Sequence, residues 1–265
     1  MPVMRLAALS FVIASAWPLV ARGEHIDEEA EARVTARAQA ADDAFTPGLT
    51  RSSAQGRGIT TGVMSWNGAS KTTTLDLNGE VQLFGPVRLV LRVDNVFGND
   101  VGSGVSGKAR PGIGAAVQWL DERTHGVSSS AYFSYKAEGF TEAEGELEGL
   151  VSFGKQLGWV HSTLNLAYGQ DPEGKERDGE LALGLHVEPM QGLFTGVIGR
   201  YRDALGSNGD KGTGILRDAL GGLSATYVIG SFGVTGTAGV AGIKTATSGS
   251  MQTGAEAALS VGAVF

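Results

Sequence analysis

Between residues 75 and 84 the apolar Leu75, Leu77, Val81 and Leu83 alternate with the polar Asp76, Asn78, Glu80 and Gln82. After Gly85 and Pro86 the alternation resumes, with Val87, Leu89, Leu91 and Val93 set against Arg88, Arg92 and Asp94. A period of two marks an extended strand with one face in hydrocarbon or core and the other in water, and Gly-Pro between two such runs reads as a tight turn. The segment is a β-hairpin. Its polar face carries more charge than the solvent face of a soluble sandwich needs, whereas a water-filled interior accommodates it.

The same period recurs down the chain. Weaker at 58–66, it returns at 112–120 with Ile113, Ala115, Val117 and Trp119 on one face. At 127–136 Ala131, Phe133 and Tyr135 oppose Ser128, Ser130, Ser134 and Lys136, and at 144–153 Glu146 and Glu148 oppose Leu147 and Val151. At 159–168 His161, Thr163 and Asn165 oppose Val160, Leu164, Leu166 and Tyr168; at 180–188 Glu180, His186 and Glu188 oppose Leu181, Leu183, Leu185 and Val187. Segments 193–202, 217–228, 231–243 and 253–265 continue with more Gly. The count is about twelve strands, each near the nine to eleven residues of a tilted membrane crossing. Connections alternate between short (85–86, 121–126, 154–158, 189–192, 229–230) and mostly longer ones rich in Gly, Asn, Asp and Ser. That asymmetry fits a barrel with tight turns at one rim and longer loops at the other.

Composition removes the competing classes. No apolar run beyond the N-terminal one reaches the roughly 18–20 residues of a membrane helix, so a helical membrane protein is excluded. The absence of Cys excludes a disulfide scaffold. The N-terminus has Arg5, an apolar run to about Val20, and Ala21-Arg22-Gly23, the pattern of a secretory signal peptide spanning 1–23; an uncleaved anchor is disfavoured by the short run and Pro18. Without Arg5 and Arg22 the formal charge of −7 becomes about −9. No basic face offers a nucleic-acid footprint. Residues 24–57 form an acidic periplasmic segment, with helical character at 24–44 and a Pro/Gly/Ser linker after it. It reads either as a solvated leader or as a plug lodged in the barrel.

In the last strand Ala255, Ala257, Leu259, Val261, Ala263 and Phe265 alternate with Glu256, Ser260 and Gly262, and the sequence ends on Phe265. This resembles the C-terminal strand of bacterial outer-membrane β-barrel proteins, in a porin-like, architectural way that covers 58–265 and names no specific family. The resemblance implies that Phe265 is an assembly signal read by the barrel-assembly machinery. It also implies partners in outer-membrane lipid and lipopolysaccharide. Aromatics near strand ends, among them Trp66, Phe84, Trp119, Trp159, Tyr168 and Tyr201, fit interfacial girdles. Gly is frequent on both faces, as at Gly196, Gly199, Gly221, Gly222, Gly233, Gly236 and Gly239, which leaves room for curvature, for side chains crossing the lumen or for a neighbouring protomer.

The expected fold is all-β: a closed antiparallel transmembrane β-barrel of about twelve strands behind a short helical or disordered segment. Its lumen-lining charges are Asp76, Glu80, Arg88, Arg92, Lys136, Glu146, Glu148, Glu180, Glu188, Arg200, Arg202 and Glu256. Simple register brings Glu80 near Arg92 and Glu180 near Arg200 or Arg202, either to neutralise the lumen or to impose a field on passing solutes. His161 and His186 fall nearly opposite each other with Glu188 nearby, a set that could hold a metal ion or stand as solvated polar groups. The acidic residues of the longer connections, Asp171, Glu173, Glu176, Asp178, Asp203 and Asp210, read as solvated loop charge or as weak holders of divalent cations near lipopolysaccharide. The run 102–107 matches GxGxxG by letter, but the following Lys108-Ala109-Arg110-Pro111 cannot open the helix that phosphate binding needs. No nucleophile–base–orienter set stands out, and no cofactor is called for. The function that follows is a narrow channel for passive diffusion of small hydrophilic solutes, not an enzyme. The alternatives are a non-conducting barrel acting through its external loops and a membrane-embedded hydrolase.

Overall fold

A computed structural model describes residues 58–69, 72–100, 109–137, 145–172, 177–205, 215–245 and 250–265. The leader, the acidic segment and the GxGxxG run lie outside them. The elements are β1 (Gly58–Asn67), β2 (Thr72–Phe84), β3 (Val87–Asp100), β4 (Arg110–Leu120), α1 (Glu122–His125), β5 (Ser128–Ala137), β6 (Gly145–Leu157), β7 (Val160–Gln170), β8 (Arg177–Met190), β9 (Leu193–Ala204), β10 (Ile215–Ile229), β11 (Phe232–Thr245) and β12 (Gln252–Val264). Each strand pairs antiparallel with its sequence neighbours, and β12 returns to β1, closing the barrel. Closure leaves no edge with unpaired backbone groups. The seam ends in a reciprocal pair, Gly58 N to Phe265 O and Phe265 N to Gly58 O, both 2.9 Å. A Cβ on Gly58 would stand 2.5 Å from the Phe265 ring, so the terminal aromatic is seated on a glycine.

Four of the five connections at one rim are two residues long, at Gly85-Pro86, Gly158-Trp159, Gln191-Gly192 and Gly230-Ser231. The fifth carries the single helical turn α1, fixed by Glu122, whose Oε1 accepts the Gln156 N–H at 2.5 Å. At Gly192 φ is +75° and a Cβ would lie 2.6 Å from Val228 O, so the turn needs glycine for its conformation and for its space.

The hairpin alternation sets which face is which. In β2 Asp76, Asn78 and Glu80 point into the barrel and Leu77, Val81 and Leu83 point out; the ladder passes this parity from strand to strand around the ring. The outer wall is apolar, with Leu223 66% and Phe133 59% exposed. Exposed aromatics edge it at both ends: Trp66, Tyr168 and Tyr201 toward the longer connections, Phe84, Trp119, Trp159 and Phe265 toward the short turns. Such a band is costly against water and matches hydrocarbon flanked by headgroups. Among the described residues no helix is long and apolar enough to cross a membrane.

Candidate functional site

The lumen has two halves. Toward the long connections it is lined by charge. Arg92 on β3 donates from Nη2 to Asp94 Oδ2 at 2.6 Å, contacts Glu148 Oε2 on β6 through Nη1 at 2.5 Å, and donates from Nη1 to the Tyr132 hydroxyl at 3.3 Å. Lys136 on β5 reaches Glu148 at 2.7 Å and Glu146 at 2.8 Å. The result is one network over β3, β5 and β6. On the opposite wall Arg200 of β9 contacts Asp218 at 2.9 Å and Glu256 of β12 at 3.4 Å, and Asn67 donates to the same Glu256 oxygen at 2.7 Å. Arg202 pairs with Asp178.

Glycine decides which of these contacts are geometrically open. Neighbouring strands lie about 4.8 Å apart, so Arg92 must cross two strands to meet Glu148. The inward positions beside it on β4 are Gly112 and Gly114, and a Cβ at Gly112 would stand 2.8 Å from Arg92 Cγ. Between Arg200 and Glu256 lie Gly222 and Gly239, facing each other across β10 and β11. The inward glycines therefore make room for side chains that cross the lumen. The outward Gly221 and Gly236 meet open space instead.

Toward the short turns the lining is mostly apolar or neutral, with the Glu80–Arg88 ion pair beside Ile59 as its charged exception. Ile59, Phe194, Val228 and Val264, from four different strands, pack as one buried cluster. Gly233 on the intervening strand leaves the gap they close. His161 on β7 meets the Phe194 ring edge to face at 5.3 Å. His186 is fully buried, and its Nε2 lies 2.6 Å from Ser224 Oγ on β10, reached past Gly196, which faces it on β9. Thr226 and Thr235 share a buried hydroxyl pair at 2.9 Å.

The expected residues fall into place unevenly. His161 and His186 are ladder partners, but the structure does not bring Glu188 to them. Beyond Val187 the register of β8 shifts, and the Glu188 carboxylate accepts the Gly192 N–H at 2.8 Å in the turn. Glu188 is thus a rim residue and not part of the lumen lining. Among the described residues no three His, Cys, Asp or Glu side chains converge as a metal site. Glu80 pairs with Arg88 at 3.6 Å and not with Arg92, because the register sets Glu80 opposite Val90, with Arg88 and Arg92 on its diagonals, and Arg92 is held by Glu148. Glu180 does stand directly opposite Arg202, yet that guanidinium turns diagonally to Asp178. Asp178 and Asp203 lie within strands and not in loops. Asp76 points inward on β2 opposite Val63.

Sequence reasoning missed Asp178 and Asp218 as arginine partners and Ser224 as the partner of His186. Parity would have placed Asp218 and Ser224 inward; nothing local reveals that β8 begins as early as Arg177. Asp94 shares the parity of Arg92 and was visible on that ground.

No family model matches the chain, and no curated protein does at a significant level. Solved structures do match. The NanC porin is similar with a TM-score of 0.51 at 7% identity, over 78% of this chain and 98% of that one. The chain has the fold of outer-membrane β-barrels. A weaker likeness joins it to the outer membrane channel DcaP of Acinetobacter baumannii, with a TM-score of 0.43 at 9% identity over 74% of this chain and 64% of that one. Another joins it to the translocator domain of the autotransporter NalP from Neisseria meningitidis, with a TM-score of 0.42 at 12% identity over 89% and 96%.

Proposed function

We propose that this chain is a channel of the bacterial outer membrane through which small hydrophilic solutes diffuse passively. The observation that carries the reading is the two-sided wall: an apolar, aromatic-edged exterior around an interior whose long-loop half is lined by hydrogen-bonded charge. A barrel that only anchored loops has no need of such a lining, and the solved porin of like fold, NanC, carries the function in its name. A solute enters among the longer connections and exchanges part of its hydration shell for the charged groups. Because most of those groups are already paired, they bind weakly enough to release it. The 1–23 leader and the Phe265 strand supply export and barrel assembly.

Catalysis has little support in this geometry. His186 and Ser224 form a close pair, but His186 is sealed from solvent and its Nδ1 has no partner among the described residues to orient the ring. The buried cluster of Ile59, Phe194, Val228 and Val264 favours a second reading, a barrel closed at its short-turn end that works through its loops. Planar-bilayer recording of the purified, folded chain decides between the two. Discrete conductance steps are expected, and their absence would remove the channel in favour of the closed barrel.

A further inference from the structure

A cavity of about 210 Å³ opens between the two charged walls of the lumen. Seven charged side chains of both signs line it: Arg92, Lys136 and Arg202 against Glu146, Glu148, Asp178 and Glu180. Three positive and four negative charges leave the lining one unit negative. Six of the seven are engaged. Arg92 and Lys136 hold Glu148, Lys136 also holds Glu146, and Arg202 holds Asp178. Glu180 is the exception: among the described residues it makes no ion pair and no hydrogen bond, although Arg202 faces it across the ladder. The one nearby arginine that could still turn to it, Arg200, is held by Asp218 and Glu256.

From this arrangement we infer that the cavity is a binding site for a small organic cation, an ammonium or guanidinium group on a solute of few atoms, with Glu180 as its anchor. The inference names the solute class of the proposed channel, and it rests on that reading for passage but not for binding. An entering anion would have to compete with carboxylates already seated on every basic group of the lining. An entering cation meets a carboxylate with both oxygens uncommitted, in surroundings where charge is screened less than in bulk water. A bare metal ion gains little, because among the described residues no set of three His, Cys, Asp or Glu side chains converges to hold one, whereas an N–H donor needs only the one acceptor. Arg200 and Arg202 stand close enough to weaken the attraction, which suits a site that must release what it holds.

The test uses the full chain folded in detergent, titrated calorimetrically with ethylguanidinium chloride and, as a size-matched anion, sodium propionate. Saturable binding of ethylguanidinium at a dissociation constant on the order of millimolar is expected, with none for propionate. Glu180→Gln should weaken that binding by about tenfold or more, the loss of one charge-assisted hydrogen bond. Glu180→Asp keeps the charge and should keep most of the affinity. Gel mobility with and without heating reports whether each variant is folded. Should Glu180→Gln fail to fold, blockade of the wild-type potassium current by ethylguanidinium, and not by propionate, replaces it. Equal or tighter binding of propionate, or unchanged affinity in a folded Glu180→Gln protein, overturns the inference. Conductance without ethylguanidinium binding overturns it while leaving the channel; binding without conductance upholds the site and removes the channel.

Discussion

The two halves of the lumen solve one problem in opposite ways. Near the long connections the interior is filled by arginine, lysine and carboxylates that neutralise one another over distances of several strands. Near the short turns it is filled mainly by Ile59, Phe194, Val228 and Val264, with His161, His186, two threonines and one ion pair, Glu80–Arg88, around them. Long charged side chains can reach across an opening and still leave water between them. Branched and aromatic side chains can only fill it. On the proposed reading, the difference assigns the charged half to meeting solutes and the apolar half to setting how tightly the barrel is closed.

The sharpest way to break the contrast is to empty the apolar half. Phe194 is 2% exposed, and Phe194→Ala should cost about 3–5 kcal/mol, the usual penalty for a buried aromatic. Urea titration of the barrel folded into lipid vesicles measures it. If this cluster limits the opening, the same variant raises single-channel conductance, whereas a Phe194→Leu protein changes it little.

A smaller effect is expected from the outer wall. Leu223→Arg sets a charge on the lipid-facing side and should cost about 2–4 kcal/mol if that position lies near the bilayer midplane. Ala167→Arg, on the inner wall directly across the ladder from Glu180, should cost much less in the same titration. Equal costs for the two would mean that the apolar exterior does not face hydrocarbon.

The smallest expected effects separate the two kinds of glycine. A Cβ at the inward Gly196 would come within 2.7 Å of the His186 ring, and within 2.0 Å of Leu185 O, so Gly196→Ala should destabilise by about 1–3 kcal/mol. At the outward Gly221, where nothing lies within 4 Å, Gly221→Ala should stay within about 0.5 kcal/mol of the parent.

Much of the fold was legible because its signal is local. Each run such as Leu75 to Leu83 announces its own strand and its own two faces, and twelve of them imply a barrel once no apolar helix is available. Boundaries were less legible. β3 runs on to Asp100 and β8 begins at Arg177, since polar residues beyond the membrane continue a strand without any alternation to mark them. The site was legible as a set of inward charges but not as a set of partners. Glu80 and Arg92 looked like a pair until the register offered Arg88 on the other diagonal. Glu188 looked like a third ligand for two histidines until a register shift carried it to the turn.

Period two alone settled which side chains point outward and which inward along the regular part of each strand, because that choice depends only on the geometry of neighbouring residues; it failed at Glu188, where the register shifts. It could not settle who meets whom inside. That needed the register of twelve strands around a closed ring, the empty places left by Gly112, Gly196, Gly222 and Gly239, and the reach of each side chain across them. These are relations between residues far apart in sequence, 189 positions for Asn67 and Glu256, and a ring fixes them only when it closes.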